Sequence, residues 1–227
     1  MIPGLALLDL VGLFVFAAAW SGYAWIADHR YAGHGLMGVT ARHRLRWMAQ
    51  MLARDNRIYD STLAANIARS PNFFAQTSLI ILGGLIAVLG ASDRLALLVA
   101  EVPFAQRGDA AAWTAKIGLE IVIFIYAFFK FTWSMRQFNY LMIVMGAAPI
   151  AGTRAANDDG EAVVARAARI SDIATRHFNS GIRAYYFALA ALGWFVHPWL
   201  LIAASIFVLL VLWRREFHSA TLAALKE

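Results

Sequence analysis

Residues 113–147, WTAKIGLEIVIFIYAFFKFTWSMRQFNYLMIVMGA, decide the fold class. No helix-breaking pair interrupts this run until Gly146-Ala147-Ala148-Pro149, so it is predicted to be one helix. About 35 helical residues extend roughly 50 Å, whereas the hydrocarbon core of a bilayer is about 30 Å thick. The helix therefore crosses a membrane and continues beyond it. Residues 161–213 repeat the pattern, with a kink expected before Pro198. Between the two, residues 149–160 (PIAGTRAANDDG) form a turn. The pair is a helical hairpin whose arms begin in the cytoplasm and enter the bilayer.

Working outward, two more runs reach the roughly 20 residues that a spanning helix needs, near Leu5–Ile26 and Phe73–Gly90. The expected architecture is all-α, a single membrane domain over residues 1–227. Its four spans lie at about 5–26, 73–90, 113–135 and 184–213, with cytoplasmic segments 27–72 and 136–183. Composition agrees: 61% of the 227 residues are hydrophobic and 15% charged, too few polar groups to cover a water-soluble domain. The absence of cysteine excludes disulfides, thiolate metal sites and cysteine nucleophiles. Ala17-Ala18-Ala19 has the look of a cleavage site, but no Lys or Arg precedes it and Asp9 interrupts the run, so the first helix is expected to be retained.

The net charge of +6 comes almost wholly from arginine. Those arginines fall in loops between apolar runs, where they set topology rather than bind nucleic acid. Segments 27–72 and 136–183 hold thirteen Lys and Arg, and the opposite side, with Lys116 at the outer end of its span, holds six: Arg94, Arg107, Lys116, Arg214, Arg215 and Lys226. The positive-inside rule then puts both long segments in the cytoplasm of an inner (plasma) membrane protein, with both termini outside. Only the Arg214-Arg215 pair argues otherwise.

The first cytoplasmic segment is expected to hold a helix capped by Thr40 and running to about Arg54, with Leu45, Met48 and Leu52 on one face. A second, short helix around Ile58, Leu63 and Ile67 should stop before Pro71. Between them, Arg54 to Asp60 is the densest polar cluster, either organising the cytoplasmic face by salt bridges to Arg136 or the neighbours of Arg176 or, by default, a solvated charge run. Gly83-Gly84 is expected at a close helix–helix contact.

One internal echo draws attention. Arg136-Gln137-Phe138-Asn139 and Arg176-His177-Phe178-Asn179 both fall where their helices should enter the membrane. Arg136 and Asn139 share a helix face, as do Arg176, Asn179 and Arg183. In an antiparallel pair the two elements would meet at one depth and could line a pore mouth or hold an anion or lipid headgroup; alternatively the arginines snorkel and the amides bond between helices. Glu120, Lys130 and His197 are intramembrane ionisable candidates, beside Asp9 near the outer end of its span. Glu120 is expected to pair with Lys116 at i−4, and Lys130 to snorkel. His197 sits mid-span beside Pro198, either bonding between helices or relaying protons. No second intramembrane histidine matches it for haem. Asp28, His29 and His34 fit no standard metal spacing, so no metal or other cofactor is expected.

The runs RDNRIYD, FKFTWSMRQFNY, GAAP and RHFNSGIRAYYFALAALGWFVHPW resemble the family catalogued as domain of unknown function 599, from about Asp9 to Trp213. The resemblance implies four membrane helices, with Lys130, Arg136, Asn139, Arg176, Asn179 and His197 in matching segments. It implies no activity. The residues themselves point to a homo-oligomeric channel or transporter favouring anions, with the Arg/Asn elements at its cytoplasmic mouth. The alternative is a structural or accessory subunit that scaffolds a membrane partner through its cytoplasmic helices. No spacing assigns a nucleophile, base or metal, so an enzyme is not expected.

Overall fold

The computed structural model describes residues 6–30, 33, 35–90 and 110–226. Leu5, His34, Arg94 and Arg107, which entered the sequence reading, lie outside them. The described residues form α1 (Leu7–Trp25), a π-helical turn (Ile26–Arg30), α2 (Leu36–Ala53), α3 (Ile58–Leu89) and α4 (Ala110–Gly146). After these come α5 (Arg154–Ala191), α6 (Gly193–Val196), α7 (Pro198–Phe217) and α8 (Ala220–Ala224). No strand occurs among the described residues. Three helical stretches, Leu7–His29, Ile58–Leu89 and Ala111–Gly146, are long and apolar enough to cross a membrane. Phe14, Ile80, Phe129 and Phe207 stand more than 60% exposed on the outside of the bundle, an apolar surface compatible with a lipid surrounding.

The hairpin of α4 and α5 is the spine. The turn is shorter than the expected 149–160. Gly152 takes φ +77°, and the Thr153 hydroxyl caps α5 by accepting from the Ala156 N–H. The two arms pack with Ser134 Oγ donating to the Ala174 carbonyl at 2.7 Å. Below that bond Phe138, Leu141 and Met145 meet Ala167, Ala168 and Ala174, joined by Met48 and Met51 of α2. Above it Phe131 stacks on Phe74 and meets Phe178 and Tyr185 edge-on or tilted.

α3 runs unbroken through Pro71, where the short helix was expected to end. Proline removes one backbone hydrogen bond. Packing on both sides outweighs that loss, because Ala64 is buried in the lower cluster and Ala75 in the upper one. Gly83 and Gly84 are exposed, with nothing within 4 Å of where a Cβ would sit, so they mark no helix contact among the described residues. α2 begins at Leu36, before Thr40. Its first turn is capped from α7, with Glu216 Oε1 accepting the Met37 N–H at 2.9 Å. A Cβ on Gly35 would lie 2.5 Å from that carboxylate oxygen, so the capping side chain would have to shift.

The largest departure concerns the fourth apolar run. Residues 184–213 do not form one span, because the helix breaks at Leu192–His197 and reverses. Proline disfavours the α conformation in the residue before it and favours a helix start at its own position. His197 is accordingly extended (φ −159°, ψ 142°), and Pro198 opens α7. A Cβ on Gly193 would lie 3.0 Å from the Leu200 backbone, so the turn is tight. α7 then runs parallel to α1: Pro198 and Leu201 sit beside Gly12, and the Tyr23 hydroxyl donates to the Leu212 carbonyl. His197 is therefore at the end of the bundle rather than mid-span, where its Nδ1 accepts from the Trp199 N–H. The start of α1 and the end of α7 lie at opposite ends of the bundle, against the expectation of both termini on one side.

Candidate functional site

Because α7 returns, its polar end (Arg214-Arg215-Glu216) arrives beside the end of α1, the start of α2 and the middle of α5. A cavity of about 350 Å³ opens among them. Its apolar wall comes from Leu36, Phe178, Ile182 and Leu212, and its charged wall from Asp28, Arg44, Arg183, Arg215 and Glu216.

Arg183 is 7% exposed, and its Nη2 holds both Asp28 oxygens at 3.0 and 3.1 Å. It also bonds Ser180 Oγ at 3.0 Å and lies over the Tyr23 ring. Arg44 grips Asp172 through Nε and Nη2 at 2.9 and 2.7 Å. Glu216 is occupied in capping α2. Arg215 differs, since its bond is to the neutral Tyr186 hydroxyl and it makes no ion pair among the described residues. A charge-assisted bond from a guanidinium is worth more to an anion than to a phenol, so Arg215 is the group most open to a ligand.

Of the sequence candidates, Asn179 and Arg183 line this cavity. Asn179 leans on Met37 Sδ, and Arg176 reaches the Asp28 carbonyl at 3.5 Å. Arg136 and Asn139 do not join them. Both are exposed on α4, and Arg136 Nε bonds Tyr140 one turn along its own helix at 2.9 Å. The Ser134–Ala174 bond fixes the register, leaving Arg136 and Arg176 about four residues, or roughly 6 Å, apart in depth. The two R-x-F-N elements therefore make no ring. Arg44, Arg215, Glu216 and Asp28 were missed, since only the reversal of α7 and the approach of α2 bring them together.

A second polar group sits at the opposite end. Asp9, 3% exposed, accepts from Trp194 Nε1 at 2.7 Å and from the Ala6 N–H at 2.9 Å. Lys116, also 3% exposed, holds its ammonium 5.7 and 5.6 Å from the Trp113 and Trp194 rings. The expected Lys116–Glu120 pair is absent. Glu120 is 1% exposed and neither of its oxygens has a hydrogen-bond partner among the described residues. Lys130 leans on the Tyr126 ring at 5.2 Å.

The Arg54–Asp60 cluster is structural rather than a solvated run. Asp60 is fully buried, with Oδ1 accepting from Trp47 Nε1 at 2.7 Å and from Arg54 Nη1 at 2.5 Å. Arg57 ties the same corner to the α4–α5 turn through the Ala148 and Pro149 carbonyls, at 2.8 and 2.5 Å.

No curated protein and no solved structure matches the chain. Residues 11–221 match the family described as "Protein of unknown function, DUF599". With nearly its whole length inside that match, all helical and with apolar helices compatible with a membrane, the chain belongs to the DUF599 family.

Proposed function

We propose that this is a five-pass inner-membrane protein that binds an organic anion in the cavity at its cytoplasmic face, as the substrate site of a carrier. The observation that carries the reading is Arg215, a guanidinium without a carboxylate partner among the described residues, in a cavity that also has an apolar wall. A phosphate or carboxylate would engage Arg215, and an attached hydrocarbon group would lie against Phe178 and Leu212. A single chain forms this cavity, so the reading needs no oligomeric pore.

The passes are α1, the membrane half of α3, the first part of α4, the second half of α5, and α7. Charge supports this path. Counting the end of α7 with the cytoplasmic segments brings Arg214, Arg215 and Lys226 to that side, leaving sixteen Lys and Arg there against three opposite. The pair that argued against the four-span orientation now agrees. A fluorescent protein fused after Glu227 should fluoresce in cells, and a phosphatase fused there should be inactive. An active phosphatase at that position would refute the five-pass path.

For the ligand, purified protein should be heated with a panel of carboxylates and phosphate monoesters carrying short hydrocarbon groups. A ligand at a hundred times its Kd stabilises the folded state by about 2.7 kcal/mol, a shift of several degrees in Tm. The shift is expected in the parent protein and absent in Arg215→Ala, and the same anion should enter proteoliposomes. The anion-site reading fails if no panel member stabilises the parent or if Arg215→Ala responds equally.

A further inference from the structure

Glu120 lies on the bundle-facing side of α4, with Lys116, Ile117, Ile123 and Phe124 one turn away and all at most 9% exposed. Its two oxygens have no hydrogen-bond donor and no cation within ion-pair distance among the described residues. Among the described residues, the charged and titratable groups that face this region are engaged elsewhere. On its own helix, Lys116 turns to the Trp113 and Trp194 rings. From α1, Asp9 is held by Trp194 and by the Ala6 N–H. From α5, Tyr185 packs its ring on Phe124 but commits its hydroxyl to Ser78 and the Phe74 carbonyl. The membrane half of α3, α6 and the apolar part of α7 contribute no titratable residue.

An ionised carboxylate only 1% exposed, with no donor or counter-charge among the described residues, is costly, and ionisable groups retained inside a membrane bundle mark ion or proton sites. The donor set selects between the two. A metal cation requires several oxygen ligands, and no group of three His, Asp or Glu occurs among the described residues. One carboxyl suffices for a proton. We propose that Glu120 is a proton-binding site buried in the transmembrane bundle, its carboxylate taking up one H⁺ to become the acid and releasing it again, with no other reactant. That the proton accompanies an anion rests on the reading above; the site itself does not.

Infrared spectra of the full chain in lipid nanodiscs test this. Parent protein at neutral pH should show the C=O stretch of a protonated carboxyl, lost as the pH is raised and missing throughout from Glu120→Gln. Identical spectra for the two proteins at every pH would overturn the proposal. Should Glu120→Gln fail to fold, the parent protein alone decides through a lipid-soluble carbodiimide, which adds to protonated carboxyls shielded from water. Mass spectrometry should find the adduct on Glu120 at neutral pH, declining at alkaline pH, and not on Asp9. A Glu120 that never carries the adduct would equally overturn it. Neither readout involves the anion cavity, whose own test is the Tm shift and its loss in Arg215→Ala, so the two readings can fail separately.

Discussion

Replacing Gly181 with alanine is expected to destabilise the protein by about 1–2 kcal/mol, and replacing it with leucine to prevent accumulation of the folded form. The sign is the informative part. In a helix interior Gly→Ala ordinarily stabilises by about 1 kcal/mol, because glycine loses more backbone entropy on folding. At Gly181 a Cβ would lie 2.5, 2.7 and 2.9 Å from three ring carbons of Phe131. That ring is fully buried and enclosed by Phe74, Phe178 and Tyr185, so it has no rotamer to retreat to. Overpacking of this kind costs about 1–3 kcal/mol for small additions, more than the propensity gain. Gly118 supplies the control, being inside α4 with nothing within 4 Å of where a Cβ would sit, so Gly118→Ala should be neutral or stabilising. Thermal unfolding of the purified variants checks both. If Gly181→Ala melts at or above Gly118→Ala, the α4–α5 approach is looser than described.

The α4–α5 hairpin was legible because nothing in residues 113–147 could break a helix, and two long helices joined by a Gly-containing turn have few arrangements. The fourth run was not legible by the same measure. Apolar length counts residues and is blind to a reversal within six of them, although 30 residues of helix, roughly 45 Å, already exceed one bilayer core. Pro198 gave a kink as the cheaper reading. The return shows in contacts far apart in sequence, the parallel seat of Leu201 on Gly12 and the bond from Tyr23 to the Leu212 carbonyl.

The site followed the same division. Asn179 and Arg183 were found because helical spacing puts them on one face of one helix. Arg44, Arg215 and Glu216 come from other helices, and no spacing within a segment relates them. The R-x-F-N echo misled for a physical reason: identical words on antiparallel helices meet only if the hairpin register allows it, and the turn length sets that register. The missing Lys116–Glu120 pair has a cause as well. Lysine ahead of glutamate is the poorer order for an i,i+4 pair, and here the ammonium reaches away to two indole faces.

The ion pair that closes the cavity yields the second large effect. Removing Asp28 should cost about 3 kcal/mol, the low end for breaking a buried pair, because the Asp28 side chain retains 32% of its exposure while that of Arg183 has 9%. The two partners are thus unequal. Asp28→Ala strands a guanidinium whose remaining contacts are Ser180 and the Tyr23 ring. Arg183→Met strands a carboxylate that water can still reach, and should cost only about 1 kcal/mol. The double variant Asp28→Ala/Arg183→Met should then be more stable than Asp28→Ala alone, with a coupling of about 2 kcal/mol in denaturant or thermal unfolding. Asp28 sits on the π-helical turn, which holds more residues per turn than an α-helix, so an α-helical continuation of α1 would present a different residue to α5. Loss of the pair should therefore also loosen the wall that carries Tyr23 and weaken any anion-induced rise in Tm. Equal losses in the two single variants, with no recovery in the double, would mean that Arg183 is better solvated than its 9% exposure implies, and that packing rather than charge joins the π turn to α5.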